Sequence, residues 1–211
     1  MQTRNQINHS YCLYSVTISG SFILGLLLLW IFPKPELFLM MNSFHTPFLD
    51  GFFKMITFLG DGWFSIIVGA WLIFTGKRIL GSKVLIVYAV SGIFAQFCKS
   101  FIIMPRPRAI IPENIFPHYI PGYTLNAWNS FPSGHTASVF ALTAILAWSS
   151  PVRPLRFILA VAAILTGFSR IYLGQHFLDD VLSGAFLGVL TAYGVMTFTD
   201  RNLSRKQSRD R

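Results

Sequence analysis

Long apolar stretches separated by short polar segments make up most of this sequence. Six of them are candidate membrane-spanning helices, since about 20 apolar residues are needed to cross the hydrocarbon core of a bilayer. They lie at about residues 15–32, 62–75, 84–104, 136–148, 155–171 and 177–197. The second and fourth are short, and a start of the second at Phe52 is an alternative. The pattern predicts an all-α integral membrane protein, a six-transmembrane-helix bundle that forms one domain over residues 1–211.

Two connections between these stretches are long enough to have a structure of their own. Residues 35–51 are rich in Phe, Leu and Met but are interrupted by Asn42, His45 and Asp50, which predicts an interfacial amphipathic segment. Residues 106–132 form the longest connection and carry several prolines with aromatic residues between them. A loop of this length over a membrane bundle is expected to be a lid or a substrate-docking element.

The composition excludes an ordinary soluble domain, because 53% of the residues are hydrophobic, only 12% are charged and 21 are Phe. Cys12 and Cys98 have no metal-binding spacing and are expected to be unpaired packing residues. The first apolar stretch resembles the core of a signal peptide, but Pro33-Lys34-Pro35 follows it without a small-residue cleavage site. We therefore expect a retained signal anchor.

The positions of the cations predict the orientation in the membrane. With six spans both termini lie on one side, together with eleven of the 17 Lys and Arg residues: Arg4, Lys77, Arg78, Lys83, Arg153, Arg156, Arg201, Arg205, Lys206, Arg209 and Arg211. The other six cations are Lys34, Lys54, Lys99, Arg106, Arg108 and Arg170. Because cytoplasmic loops carry an excess of Lys and Arg, the termini and the basic tail 201–211 are predicted to be cytoplasmic, in a bacterial inner membrane. The net charge of +9 then indicates a bilayer partner and no nucleic acid.

Three short polar islands lie at the ends of the apolar stretches, at residues 99–107, 131–135 and 169–180. The predicted topology puts every helix end that carries them on the outer side of the membrane. Side chains that are far apart in sequence then converge on one extracytoplasmic site under the 106–132 loop. Ionisable groups are costly to keep at a membrane, so each of them calls for a chemical reason.

The third island offers a nucleophile or base. His176 and Asp180 are four residues apart at a helix start and share one face, so the carboxylate can fix the imidazole tautomer. Asp179, three residues from His176, is the alternative partner. A buried histidine that is simply satisfied by a nearby acid is the structural alternative for the whole pair.

The second island runs into a helix start, where free backbone amides favour an anion. Ser133 and Gly134 lie at this start, and His135 beside them could protonate a leaving oxygen as a general acid. Capping of the helix by Ser133, with a solvated His135 beside it, is the alternative.

The cations of the islands suit a phosphate. Arg106 and Arg170 can each hold two phosphate oxygens, and Lys99 adds a point charge. The remaining polar residues receive structural assignments. Arg108 and Lys54 are expected to face lipid headgroups and Asp61 to cap a helix. Three histidines have no partner of similar spacing and are expected to be interfacial or loop residues: His9, His45 and His118.

Taken together, the islands resemble the signature of the type 2 phosphatidic acid phosphatase family, which is Lys-x6-Arg-Pro, then Pro-Ser-Gly-His, then Ser-Arg-x5-His-x3-Asp. The sequence matches every position, and the signature covers about half of the chain. The matching residues are Lys99, Arg106, Pro107, Pro132, Ser133, Gly134, His135, Ser169, Arg170, His176 and Asp180.

The resemblance implies a six-helix membrane fold and metal-independent hydrolysis of lipid phosphate esters or anhydrides, without a cofactor. It also implies that His176 is the nucleophile that forms a phosphohistidine, that Asp180 orients it, and that His135 is the acid. The phosphoryl oxygens would be held by Lys99, Arg106, Ser133, Gly134 and Arg170. The related vanadium haloperoxidases are soluble and larger, which this hydrophobic chain does not match.

Two other functions are compatible with part of the pattern. A lipid phosphotransferase would use the same pocket and pass the phosphoryl group to another lipid. A transporter is disfavoured, because the polar groups lie at helix ends and not at the midplane. Among substrates, undecaprenyl diphosphate is the leading hypothesis, followed by phosphatidylglycerol phosphate, a lipid A phosphate and phosphatidic acid. The sequence does not indicate an oligomeric state.

Overall fold

The computed structural model describes residues 12–209, and this part of the chain is helical, with no strand. Its nine helices, numbered α1 to α9, are Cys12–Ile31, Lys34–Met41, Pro47–Ile56, Gly62–Phe74, Arg78–Phe101, Pro107–Ile110, Gly134–Ser149, Arg153–Tyr172 and Leu178–Arg209. A 3-10 turn, Thr57–Gly60, joins α3 to α4. Arg4 and His9 lie outside the described residues, and so do the side chains of the predicted basic tail.

The apolar outer surface confirms an integral membrane protein. Large hydrophobic side chains are exposed along the helices, with Trp30 84% and Phe74 91% accessible. Four helices are long and apolar enough to cross a bilayer, namely α1, α5, α8 and α9 up to Asp200. The residues from Pro47 to Phe74 form a fifth candidate, bent by 57° at the α3–α4 junction.

The structure refines the predicted spans. The fourth, α7, has 16 residues and is buried along most of its length, so it lies inside the bundle with little contact to lipid. The fifth and sixth predicted spans correspond to α8 and α9. Helix α9 continues past the predicted end at Thr197 and runs to Arg209, so the predicted tail extends the last helix.

Close packing of α9 against α7 depends on two glycines. A Cβ on Gly184 would lie 2.5 Å from the backbone oxygen of Ser133, and one on Gly188 would contact the backbone of Ala137 and Ala141. Small residues four apart let two membrane helices approach at backbone distance. The approach holds the N-terminus of α7, which carries the second polar island, against the first turns of α9, where the third island ends.

The predicted interfacial segment consists of two short helices, α2 and α3, that pack against the bundle. Phe38 is buried and contacts Phe116 of the long loop and Phe177 before α9, with ring centroids 5.8 Å and 5.5 Å apart. Aromatic burial on this scale stabilises the contact and is more than a surface segment would show. The segment therefore supports the end of the bundle that carries the polar islands.

Candidate active site

A tight turn between α8 and α9 places His176 at the centre of the polar islands. Gly174 ends α8 with a φ of 68°, a left-handed conformation that glycine adopts without strain. The carbonyl of Arg170 then accepts the amides of Gln175 and His176 at 2.9 and 3.1 Å. The turn is buried, and only 2% of His176 is accessible.

Asp180 and Ser130 define the tautomer of His176. The hydroxyl of Ser130 donates to Asp180 Oδ2 at 2.5 Å and lies 3.4 Å from Nδ1 of His176. Nδ1 is itself 3.5 Å from Asp180 Oδ2. Because the single hydroxyl proton of Ser130 goes to the carboxylate, Ser130 can only accept from the ring. Nδ1 therefore carries the proton, and Nε2 keeps a free lone pair that can act as a nucleophile.

The choice between the two aspartates is clear in the structure. Asp179 pairs with Lys34, whose Nζ lies 2.7 Å from Oδ2 and 4.5 Å from the ring centroid of Phe177. Asp180 is fully buried, and its Oδ2 also accepts the amide of Phe177 at 2.9 Å. Asp180 thus faces His176, and Asp179 ties the start of α9 to α2.

The contacts of the Ser130 hydroxyl with His176 and Asp180 lead to a testable prediction. In Ser130→Ala the Nδ1–H of His176 loses its acceptor and Asp180 loses a donor, so the ring is held less firmly. For the lipid phosphate hydrolysis that the resemblance implies, we expect kcat to fall on the order of 10-fold to 10²-fold with little change in KM. The matched control is Ser91→Ala, since Ser91 is also buried but its hydroxyl donates only to Tyr88 O within its own helix. Equal kcat values for the two variants would contradict the role of Ser130.

Arg106 is held in place by the loop and by the histidine turn. Its Nε donates to Trp128 O at 2.9 Å and its Nη1 to Gln175 Oε1 at 2.6 Å. Gln175 in turn donates to Thr124 O at 2.8 Å. These contacts fix a nearly buried guanidinium beside His176, and a fixed cation needs little reorganisation when an anion arrives.

Arg170 and Lys99 complete a set of three cations. Arg170 is buried, and its Nη1 donates to Thr57 Oγ1 at 2.8 Å and to Tyr123 OH at 2.9 Å. Its Nε is buried without a hydrogen-bond partner among the described residues. Lys99 donates to Asn129 O at 2.6 Å. An unpaired guanidinium N–H in a buried cationic pocket is available to a phosphate oxygen.

The N-terminus of α7 supplies the remaining donors. Ser133 caps the helix, since its Oγ accepts from the amide of Thr136 at 3.4 Å and from its hydroxyl at 2.8 Å. The amides of Gly134 and His135 are in the first turn, where no intrahelical acceptor exists. Capping and anion binding are therefore compatible here, because they use different atoms.

His135 borders a cavity of about 540 Å³ that opens between α4 and α5. Lys99 and Gln96 line its polar end, and Gly92 and Ile93 line the apolar part. The packing is close behind His135, where a Cβ on Gly60 would lie 2.7 Å from the His135 carbonyl. A polar end beside an apolar wall suits an amphiphile whose headgroup reaches the histidines.

Charge and burial also define the protonation state of His176. Burial, followed by the positive charges of Arg170, Arg106 and Lys99, holds the pKa of His176 well below its ordinary value of 6.5. The imidazole is therefore neutral at pH 7 in the free enzyme, which is the form that a nucleophile requires.

This lowered pKa predicts the acid limb of the pH profile. Because the folded enzyme keeps His176 neutral, kcat/KM should persist as the pH falls below 6.5 and decline only near the lowered pKa. Arg106→Gln removes one of the charges that lower this pKa, so its acid limb should move to higher pH. The ionisation of the substrate phosphate is the same for both proteins and cancels in the comparison. Superimposable profiles would show that Arg106 does not act on the titrating group.

Three charged residues outside the pocket have structural contacts of their own. Asp61 caps α4 by accepting from the amide of Trp63, which confirms the prediction. Arg108 donates hydrogen bonds to Glu113 and Tyr119 at 2.5 and 2.7 Å. Lys54 donates to the Pro121 carbonyl of the loop.

His45 lies in the turn before α3 and His118 lies in the long loop, as expected, but each has a partner that the sequence did not indicate. Both contact Asp50, at 3.2 and 3.1 Å. The contact between His118 and Asp50 joins the long loop to α3 across 68 residues, and no sequence spacing could reveal it.

Sequence reasoning also missed four polar residues that hold the pocket together. These are Thr57, Tyr123, Ser130 and Gln175. Gln175 precedes His176 directly and Ser130 lies three residues before Ser133, so proximity to the islands was the only available signal.

The bundle and the cationic pocket define a class of protein, the membrane-embedded phosphatases that act on lipids. The PAP2 superfamily model matches residues 80–204, which is more than half of the chain and includes every island. The chain belongs to the PAP2 superfamily, and it is an enzyme that hydrolyses phosphoesters of lipids.

Relatives of known activity differ in substrate. Phosphatidylglycerophosphatase B of Bacillus subtilis is 29% identical over 74% of this chain and 77% of its own. Lipid A 4'-phosphatase of Bacteroides thetaiotaomicron is 31% identical over 72% and 71%. Undecaprenyl-diphosphatase BcrC of Bacillus subtilis is 25% identical over 75% and 79%.

A solved structure shares the fold. The crystal structure of Aquifex aeolicus LpxE has a TM-score of 0.66 with this protein and 30% sequence identity, and the match covers 77% of this chain and 93% of that one. Fold and family therefore agree.

Proposed function

We propose that this protein is a metal-independent lipid phosphatase that acts through a phosphohistidine at His176. The observation that carries the proposal is the convergence of Lys99, Arg106 and Arg170 around a buried imidazole whose proton lies on Nδ1. Phosphoryl transfer mainly needs positioning and stabilisation of charge on the equatorial oxygens. Three fixed cations and the amides of α7 can supply both.

In the first half of the reaction, Nε2 of His176 attacks the phosphorus and the bond from phosphorus to the lipid oxygen breaks. His135 gives its proton to the leaving oxygen. A phosphate bound among the cations places negative charge beside His135 and favours its protonated form. The lipid product leaves with its new O–H, and the phosphoryl group stays on His176.

In the second half, water replaces the lipid. The neutral His135 takes a proton from the water as its oxygen attacks the phosphorus. The bond between phosphorus and Nε2 breaks, inorganic phosphate leaves, and both histidines return to their starting states. Asp180 and Ser130 keep Nδ1 protonated throughout and stabilise the positive ring.

We further propose that the active site faces the extracytoplasmic side and that undecaprenyl diphosphate is the leading substrate. Lys83 pairs with Asp200 at 2.7 Å near the far end of α9, whereas the pocket adjoins Asp180 at its beginning. Lys83 and the three cations of the pocket therefore lie about 30 Å apart along the axis of α9. The positive-inside rule then orients the pocket outward, where a diphosphate carrier is left after envelope polymers are made.

Phosphate release from four lipids in detergent tests the substrate. The lipids are undecaprenyl diphosphate, phosphatidylglycerol phosphate, a lipid A phosphate and phosphatidic acid, with His176→Ala as the blank. We expect the highest kcat/KM for undecaprenyl diphosphate. A higher value for another of the lipids would replace the substrate and leave the mechanism standing. A labelled donor with an added acceptor lipid separates hydrolysis from phosphotransfer, and labelled inorganic phosphate is the expected product.

Reporter fusions test the orientation. Alkaline phosphatase fused after Gly122, in the long loop, should be active, because this enzyme needs the oxidising side of the membrane. A fusion after Arg205 should be inactive. The reverse pattern would place the pocket in the cytoplasm and remove the reason for preferring the carrier lipid.

A further inference from the structure

A second cluster of ionisable side chains lies outside the phosphate pocket. His45 is in the turn between α2 and α3, Asp50 is in the first turn of α3, and His118 is in the long loop. One ligand atom from each lies within 4.8 Å of the other two. None of the three belongs to the phosphatase signature, so the cluster needs an explanation of its own.

Asn42 fixes the tautomer of His45. Its side-chain amide donates both protons, to Ile171 O at 2.7 Å and to Tyr172 O at 2.8 Å, which orients its Oδ1. Nε2 of His45 lies 3.2 Å from this Oδ1 and 3.2 Å from the Asn42 carbonyl. Both oxygens are acceptors, so Nε2 must carry a proton.

The other ring nitrogen then faces a carboxylate. In the neutral ring Nδ1 of His45 has a lone pair, and it lies 3.2 Å from Asp50 Oδ1. Nε2 of His118 approaches the second oxygen of the same carboxylate at 3.1 Å. A lone pair directed at a carboxylate oxygen requires either a proton or a metal ion between the two atoms.

The surroundings favour a metal over the proton. A protonated His45 would stack as a cation against the ring of His118, whose centroid is 4.3 Å away. In metal sites, by contrast, a ligating histidine donates its other N–H to a carbonyl and a ligating carboxylate accepts a further hydrogen bond. Both supports are present, because Asn42 accepts from His45 and the hydroxyl of Tyr172 donates to Asp50 Oδ1 at 2.7 Å.

We propose that His45, Asp50 and His118 bind one divalent transition-metal ion of the zinc class. Two imidazoles and one carboxylate are a common Zn²⁺ ligand set, and nitrogen ligands disfavour Mg²⁺ and Ca²⁺. The ion would clamp the long loop, through His118, to α3 and to the end of α8. This loop carries Tyr123 and Ser130, so the clamp positions two supports of the pocket and takes no part in phosphoryl transfer.

Metal content of the purified protein tests the proposal. The full-length chain, made with an affinity tag that contains no histidine, is stripped with chelator, reloaded with Zn²⁺ and measured by mass spectrometry. One equivalent is expected in the wild type, and none in His45→Ala or His118→Ala. Tyr172→Phe removes only the supporting hydrogen bond and should weaken Zn²⁺ binding about 10-fold. Mg²⁺ should not compete.

A matched control separates this site from the phosphate pocket. The double variant His135→Ala/His176→Ala loses the pocket histidines but should keep its Zn²⁺ equivalent. Loss of the metal from this variant would overturn the proposal, and so would equal metal content in the wild type and His118→Ala. Because the readout is metal content, failure here leaves the phosphatase mechanism untouched, and an inactive His176 variant leaves the metal site untouched.

Loop protection gives a second readout for variants that retain some metal. Zn²⁺ should slow hydrogen exchange across residues 112–124 of the wild type and should have no effect in His118→Ala. Equal exchange with and without Zn²⁺ in the wild type would also overturn the proposed clamp.

Discussion

Replacing His176 by alanine should reduce phosphate release by about 10³-fold or more, because the covalent route disappears with the nucleophile. The imidazole is buried and only its Nε2 is free to react, so water cannot substitute for it at the same position. The effect should fall on kcat, since the cations that we propose bind the phosphate remain. The measurement is steady-state phosphate release in detergent, together with acid-quench detection of the phosphoenzyme, which should be absent from the variant.

Asp180→Asn is the companion variant. It keeps the size of the side chain but removes the negative charge that stabilises the positive ring in the intermediate. We expect a strong loss of kcat, but a smaller one than for His176→Ala. A thermal unfolding measurement should show that the variant is still folded. A His176→Ala enzyme with near-normal turnover would refute the phosphohistidine mechanism.

The second large effect concerns His135. His135→Ala should reduce hydrolysis of alkyl phosphate monoesters by about 10²-fold to 10⁴-fold, because the alkoxide would leave without a proton. A leaving group that is already acidic does not need this proton. The loss should therefore be smaller for a lipid diphosphate, whose leaving group is a phosphate, and for p-nitrophenyl phosphate, whose leaving group is an acidic phenol.

The gradient across leaving groups distinguishes an acid from a structural residue. A variant that had merely distorted the start of α7 would lose activity equally on all three substrates, and that outcome would contradict the assignment of His135. His176→Ala provides the control, since it should be inactive on p-nitrophenyl phosphate as well. Binding of vanadate by His135→Ala then reports whether the oxyanion pocket is intact.

Much of the candidate site could be predicted from the sequence because its chemistry is local. The chemistry of an arginine is set by its residue type. The four-residue spacing of His176 and Asp180 and the helix start at Ser133 can be read from neighbouring residues in the chain. Placing the islands on one side of the membrane needed only the alternation of spans. The predicted groups do converge in the structure.

The sequence predicts the membrane spans less completely, because it does not show whether lipid or other helices surround a given helix. Helix α7 is only 16 residues long and lies inside the bundle, where its length need not match the bilayer. For residues 35–51 the sequence predicts an interfacial segment but does not show that Phe38 is buried, since its aromatic partners come from the loop and from the turn before α9.

The sequence by itself determined that the protein is a membrane bundle with a set of cations and histidines at one end, because apolar length and residue chemistry act over short distances along the chain. Only the tertiary structure decided between Asp180 and Asp179, since the choice depends on Lys34 at a separation of 145 residues. It also revealed that Ser130 carries the link to His176 and that Asp50 contacts His118, 68 residues away. Such contacts depend on how the chain folds back on itself, and no local spacing encodes them.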